Sequence, residues 1–245
     1  VADANIVKVR TIHNDIRAFY ADDASKYEED NNRKLKIRRI YDLIPSNMES
    51  KKKRVVFQNI EEKRGRRFSD YQDEFEYLIS AGIALDVNAI SNPVFPLVQS
   101  VGKNLLKLYL NDVGLLTSVL YGNNIRAVLD DESGINLGSV YESVVAQELA
   151  AHGYKLFYYD NRSKGEVDYL IDDYDSLSTV PIEVKSGKDY TVHSALNTFV
   201  TNEDYHIKKA FVLSNERTVT QKGKITYLPI YYIMFFQSTS SSGSF

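Results

Sequence analysis

The sequence predicts an α/β protein in which a helical region precedes a mixed-sheet domain. Three observations lead there. The first 44 residues contain neither Gly nor Pro and show no strand-like alternation. A polar, acidic, Gly-containing stretch, "LDDESGINLG" (Leu129 to Gly138), makes the best domain boundary. Beyond it the apolar period changes to one helix, three consecutive strands, a second helix and a further strand. That succession is an α/β arrangement with a mixed sheet.

The N-terminal elements are read in order. Ile6, Val9, Ile12, Ile16, Phe19 and Tyr20 recur at helical spacing. "ADDASKYEEDNN" (Ala21 to Asn32) reads as an exposed connection. A second helix carries Leu35, Ile37, Ile40, Leu43 and Ile44, and Pro45 is expected to stop it. "KRVVFQNIEEK" (Lys53 to Lys63) reads as a short helix. In the next helix Ser69 is a suitable N-cap, with Gln72 completing a capping box. Tyr71, Phe75, Leu78 and Ile79 form its apolar stripe, and Gly82 is the expected stop. Ile83, Leu85 and Val87 then alternate, a turn follows at "SNP", and Leu105, Leu106, Leu108 and Leu110 suggest a returning strand. Three helices and a two-stranded ribbon are the elements of a winged helix, spanning about residues 35–128. "NDVGLLTSVLYGNN" (Asn111 to Asn124) reads as a helix ending at Gly122.

Charge qualifies that reading. The chain carries a formal net charge of −3, yet Arg33 to Arg67 holds 13 Lys and Arg against 4 Asp and Glu. Such a basic block over 33–67 suits a nucleic-acid footprint. It equally suits a solvated face or a surface docking an acidic partner domain. The third helix, which would enter a DNA groove, carries Asp70, Asp73, Glu74 and Glu76 and no Lys or Arg. Phosphates repel such a face. A protein-interaction spacer is therefore favoured, with Arg64, Arg66 and Arg67 at the helix entrance left to hold a backbone in the alternative.

Other function classes are narrowed by composition. There is no cysteine, which removes disulfides, thiolate metal sites and cysteine nucleophiles. The longest apolar run near the end, "YLPIYYIMFF", is far shorter than a span of about 20 residues. No signal peptide pattern opens the chain, so a cytoplasmic protein without a membrane is expected. His13, His152, His193 and His206 have no metal-ligand spacing and read as surface or helix-end residues. The 18 tyrosines read as strand and core material rather than base-stacking platforms.

In the second region a helix is expected from about Leu137 to His152, ended by Gly153. Strands follow in "YKLFYYD", "EVDYLID" and "VPIEVKS", then a helix around "VHSALNTFVTNE", a strand "KKAFVLSN", and two more strands in "ITYLPIYYIMFF". Residues 238–245, rich in Ser and Gly, read as a disordered tail. In "EVDYLID" alternation puts Asp168, Leu170 and Asp172 on one side; in "PIEVKS" it puts Glu183 beside Lys185. Two acids and a lysine can thus converge on one face. Buried carboxylates are costly unless paired or bound to a cation, and Mg²⁺ takes one or two carboxylates with water filling the rest. A lysine two residues beyond the second acid can position a water or steady charge developing on a phosphate. The same residues also suit a structural Glu183–Lys185 pair beside a surface Asp168.

Asp168 followed by Glu183-Val184-Lys185, after a helix "YESVVAQELAAHGY" with an early Glu, resembles the PD-(D/E)xK (restriction-endonuclease-like) nuclease superfamily. The residue before Asp168 is Val167 rather than Pro, a departure that superfamily tolerates. The resemblance implies Asp168 and Glu183 as ligands of Mg²⁺ or Mn²⁺ and Lys185 as the catalytic lysine. A Glu of the preceding helix would assist. Glu142 matches the expected place, whereas a helical wheel sets Glu148 among Val140, Tyr141, Val144 and Val145, with Glu142 about 120° away beside Leu149. Glu142 is preferred, and Glu148 stays open.

A wider resemblance covers most of residues 35–236. "FPLVQSVGKNLLKLYLNDVGLL", "YESVVAQELAAHGY", "GEVDYLI" and "PIEVKSGK", in this order, resemble the C-terminal half of a prokaryotic AAA-type ATPase family. That family carries a winged-helix segment and a nuclease-like domain of unknown function. No G-x-x-x-x-G-K-[ST] phosphate loop occurs here. The resemblance therefore implies residues 1–34 as the helices trailing an N-terminal ATPase module, that module as a partner, and ATP binding confined to it. It implies 129–237 as the nuclease-like domain, cleaving DNA or RNA, or an inactive module that binds nucleic acid or a protein partner for the ATPase.

Overall fold

A computed structural model describes residues 5–26, 29–122, 130, 135–187 and 189–238. Half of the expected boundary at 129–138, residues 129 and 131–134, lies outside the described residues, as do 239–245 of the expected tail. The chain is an α/β protein of two compact units. The first comprises residues 1–86 and 106–143, the second 87–105 and 144–245. Among the described residues no helix is long and apolar enough to cross a membrane.

In the first unit the helices are α1 (Ile6–Lys26), α2 (Asn31–Glu49), α3 (Gln58–Glu61), α4 (Gln72–Ser80) and α5 (Val113–Tyr121). The polar stretch after Tyr20 is not yet a connection, because α1 continues to Lys26 and buries Ala21. Helix α2 begins where Asp30 accepts the Asn32 N–H at 2.8 Å. It does not stop at Pro45. Proline inside a helix costs about 3 kcal/mol, but Ile37, Ile40, Tyr41, Ile44 and Met48 are all essentially buried along one face. Each contributes roughly 1.5–3 kcal/mol on burial, so the stripe carries the helix through the proline to Glu49.

The start of α4 also differs from expectation. Ser69 lies within a single 3₁₀ turn, Phe68–Asp70, and Tyr71 precedes the helix. The reciprocal cap is made by Asp70, whose carboxylate accepts the Arg67 N–H at 2.9 Å. Gly82 ends α4 at φ +68°, where the Ile83 N–H reaches the Leu78 carbonyl. The acids of α4 are answered by the basic block itself. Arg33 faces Asp73 and Lys36 faces the buried Glu74, each at 3.9 Å, while Arg66 faces Asp70 at 4.0 Å and Glu61 at 3.3 Å. Three of the block's thirteen cations thus face acids of this segment.

The second unit is built on a mixed eight-stranded sheet in the order β2-β1-β3-β4-β5-β6-β8-β7. Its strands are β1 (Ala84–Ile90), β2 (Val101–Leu110), β3 (Phe157–Asn161), β4 (Gly165–Asp173), β5 (Ser178–Lys185), β6 (Ala210–Ser214), β7 (Thr220–Lys222) and β8 (Ile225–Pro229). The ribbon read as a wing is continuous with this sheet, since β1 pairs in parallel with β3 at Asn88–Ile90. Helix α6 (Gly138–Ala151) ends before Gly153 at φ +80°, and α7 (Ser194–Thr201) follows β5. Leu196, Phe199 and Val200 of α7 join Leu170, Val212 and Tyr227 of the sheet in one buried cluster. Only one strand forms in "ITYLPIYYIMFF": after Pro229 the chain turns into a 3₁₀ helix, Ile230–Phe235. The partner of β8 is instead the exposed β7, joined to it through Gly223 at φ +60°.

Candidate metal centre and its surroundings

Antiparallel pairing of β4 and β5 sets Tyr169 opposite Ile182 and Leu170 opposite Pro181. Asp168, the next residue of β4, is tied to β5 by accepting the Val184 N–H, at a point where β4 shifts register against β3. From Glu183 a row runs across the sheet: Glu183 pairs with Val212, Val212 with Tyr227, and Tyr227 with Thr220. Residues in one row point to the same face. Lys185, two residues beyond Glu183, shares it.

Asp168 is half-buried and accepts the Val184 N–H at 2.8 Å. Glu183 is buried, with Lys185 Nζ 2.7 Å from its Oε1. The three residues expected to act together are therefore assembled on adjacent strands. Carboxylates brought near one another repel, and the Asp168 carboxylate is held against the residue that follows Glu183. One backbone N–H and one ammonium offset that repulsion, and a divalent cation would offset it further. Two carboxylates and water suit a Mg²⁺-type ion, which binds through one or two acids. The donor set thus fits a hard divalent cation.

The third acid is different. Glu142 belongs to the first unit, where it is buried on α6. Lys53 Nζ donates to its Oε1 at 2.7 Å and the Tyr109 hydroxyl to its Oε2 at 3.3 Å. Glu148 is only half-buried. The helical wheel had placed Glu148 on the apolar face; the buried face instead holds Ser139, Glu142, Ser143, Val145, Ala146 and Leu149. Ser139 and Glu142 are accommodated there because they have partners, Glu49 and Lys53 respectively. Among the described residues no group of three or more His, Asp or Glu is placed to hold a metal.

His193, read from sequence as a surface or helix-end residue, is 4% exposed. It precedes α7, and its Nε2 lies 2.8 Å from the Tyr227 hydroxyl. Burial lowers its pKa below the usual histidine value, with the positive charges of Lys185 and Lys222 adding to the effect. No local pattern marks it; it is buried by pairing with a tyrosine 34 residues away. Asp172 shares the Asp168 face and accepts the Leu97 N–H at 3.1 Å. Burial raises its pKa, and that backbone bond opposes the rise.

Two family models match the chain. A domain of unknown function designated DUF8612 matches residues 2–126, and another, DUF4143, matches residues 137–233. The matches part in the stretch where the sequence suggests a boundary. Neither the comparison with curated proteins nor that with solved structures finds a match.

Proposed function

Over its first half the chain belongs to the family of the domain of unknown function DUF8612, and we propose that its second unit is a metal-dependent nuclease domain of the PD-(D/E)xK type. The reading rests on one observation: the Asp168 carboxylate is held by the N–H of Val184, between Glu183 and Lys185 in the chain, with Lys185 2.7 Å from Glu183. Asp168 and Glu183 would hold Mg²⁺ or Mn²⁺. The cation supplies Lewis acidity to the scissile phosphate and a more acidic water. The Val184 N–H fixes the Asp168 carboxylate through its bond to Oδ2. Lys185 offers a half-exposed ammonium that would turn from Glu183 to an attacking water or to charge developing on the phosphate. The wider reading, a C-terminal segment of an AAA-type ATPase with a winged-helix spacer, is supported by the order of α2, α3, α4, β1 and β2.

One observation favours a second reading, an inactive nuclease-like module that binds nucleic acid or a protein. Lys185 makes a close ion pair with the buried Glu183, which suits a structural role for both. The two readings part in one experiment. The whole chain is incubated with single-stranded, duplex and branched DNA and with RNA, in Mg²⁺, in Mn²⁺ and in chelator, alongside Asp168→Ala and Lys185→Ala. The nuclease reading expects cleavage that needs the cation and falls at least a hundredfold in both variants. Cation-independent cleavage, equal cleavage by the variants, or none by the wild type overturns it.

A further inference from the structure

Beside the acid row the same face of the sheet opens into a groove of about 1280 Å³. One side is α7, with Asn197 and Thr201; the other is the β7–β8 hairpin, with Thr220, Lys222 and Lys224. Tyr190 and Tyr227 line it between these sides. Its place is fixed by the row already traced. Tyr227 lies two strands from Glu183, and neighbouring strands are about 4.8 Å apart. The groove therefore reaches within roughly 10 Å of the acid pair on a shared face.

Its chemistry is polar and basic. The lining carries Lys208, Lys222 and Lys224 against a single acid, Glu203, while the rest of the unit holds 8 Lys and Arg against 11 Asp and Glu. Lys208 donates to the Ser176 carbonyl, which leaves Lys222 and Lys224, both exposed at the hairpin tip, as its solvent-facing cations. The aromatic part is ordered. The Tyr190 and Tyr227 rings meet edge to face at 5.9 Å, and the His193 ring lies 5.6 Å from that of Tyr227. Tyr227 is buried and packs against the half-exposed Tyr190, and His193 is buried against Tyr227 in turn. A lysine rim with a supported aromatic ring is the combination that binds single strands: cations track the phosphates and the ring stacks a base. His193, neutral at pH 7 because burial and two lysines lower its pKa, keeps the floor free of a buried charge.

The geometry points to the α7/β7–β8 groove as the seat of a single nucleic-acid strand, with Lys222 and Lys224 on its phosphates and Tyr190 stacked on a base. This rests on the nuclease reading for its purpose, because it supplies the strand leading to the acid pair. A duplex or an acidic peptide would also meet the lysines, but neither would use Tyr190 as a stacking face.

The test is binding without cleavage. Fluorescence anisotropy of a labelled dT 12-mer is followed on the whole chain in chelator, at two or more salt concentrations, with a 12-base-pair duplex and poly-glutamate as competitors. Lys222→Glu/Lys224→Glu is expected to weaken binding at least about tenfold. Lys222→Ala/Lys224→Ala should lower the salt slope by about 1.4, at 0.7 per phosphate contact. Tyr190→Ala is expected to weaken binding roughly 5- to 150-fold with the slope kept. Thermal unfolding checks that the variants fold, and Lys222→Arg/Lys224→Arg should retain binding. Unchanged affinity in folded variants, or tighter binding of duplex or poly-glutamate, overturns the proposal. Because no cation is present, dT binding that depends on these residues stands even if the cleavage experiment fails. Cleavage that ignores them rejects the groove and leaves the acid pair intact.

Discussion

Lys53 and Glu142 are 89 residues apart in the chain and 2.7 Å apart in space. Glu142 is buried, and Lys53 adopts a left-handed backbone at φ +49° to reach it. A non-glycine residue there costs of order 1–2 kcal/mol, so the pair holds the turn against its own backbone. Removing one partner of a buried pair leaves the other charge uncompensated. Lys53→Met is expected to lower unfolding free energy by about 2–3 kcal/mol, less than for a fully enclosed pair because Lys53 is partly exposed. Adding Glu142→Gln should restore part of the loss. Urea denaturation of the two single variants and the double variant checks this, and purely additive losses would contradict it.

Gly165 opens β4 at φ +89°, and a Cβ built on it would lie 2.7 Å from the Ala195 Cβ of α7. Both the backbone and the packing exclude a side chain. Gly165→Ala should cost about 2–4 kcal/mol, combining left-handed strain with overpacking. Ala195→Gly added to it clears the space but not the dihedral, so about half the loss should return. Denaturant midpoints of the pair measure the division.

Asp172 has its pKa raised by burial. A carboxyl that holds its proton more tightly when folded favours the folded state at low pH, and that contribution is lost as pH rises from the unfolded value through the folded one. Asp172→Asn keeps an oxygen for the Leu97 N–H without the charge. It is expected to match or exceed wild-type stability at pH 7, with the advantage shrinking towards pH 4. A stability difference that grows on acidification would refute this.

His193 works in the opposite sense. Its folded pKa is depressed, so the neutral ring contributes stability that is fully present above about pH 6.5. That contribution falls away as pH drops from there through the folded pKa. His193→Gln can still hydrogen-bond the Tyr227 hydroxyl but does not titrate. The wild type should lose more melting temperature than the variant between pH 7.5 and pH 5. Parallel melting curves over that range would count against a buried neutral histidine.

What the sequence disclosed follows the range of the forces involved. Strand alternation is local, so the common face of Asp168, Glu183 and Lys185 was legible before any coordinates. The class of the fold followed from the change of apolar period near residue 137. Pro45 misled because a breaker rule weighs one residue, whereas five buried side chains on α2 outweigh it. An apolar wheel pointed to Glu148 as the buried acid, but α6 buries Ser139 and Glu142 instead, through partners as distant as Glu49 and Lys53. His193 and the groove depend on β8 and β7 meeting α7, an arrangement that no period in the chain announces.

The parallel pairing of β1 with β3 bears on how such a module can move between genes. The match to DUF4143 begins at residue 137, after both β1 and β2. A chain cut at that point would leave β3 as a bare margin, with the backbone groups facing Asn88–Ile90 open to any passing strand. Transplanting the second half into another protein therefore requires either residues 87–105 as cargo or a host strand ready to take their place. A fragment starting at 137 should self-associate, whereas one supplied with a separate 84–110 peptide should recover a single species. The boundary written in sequence and the boundary heredity can use are different places.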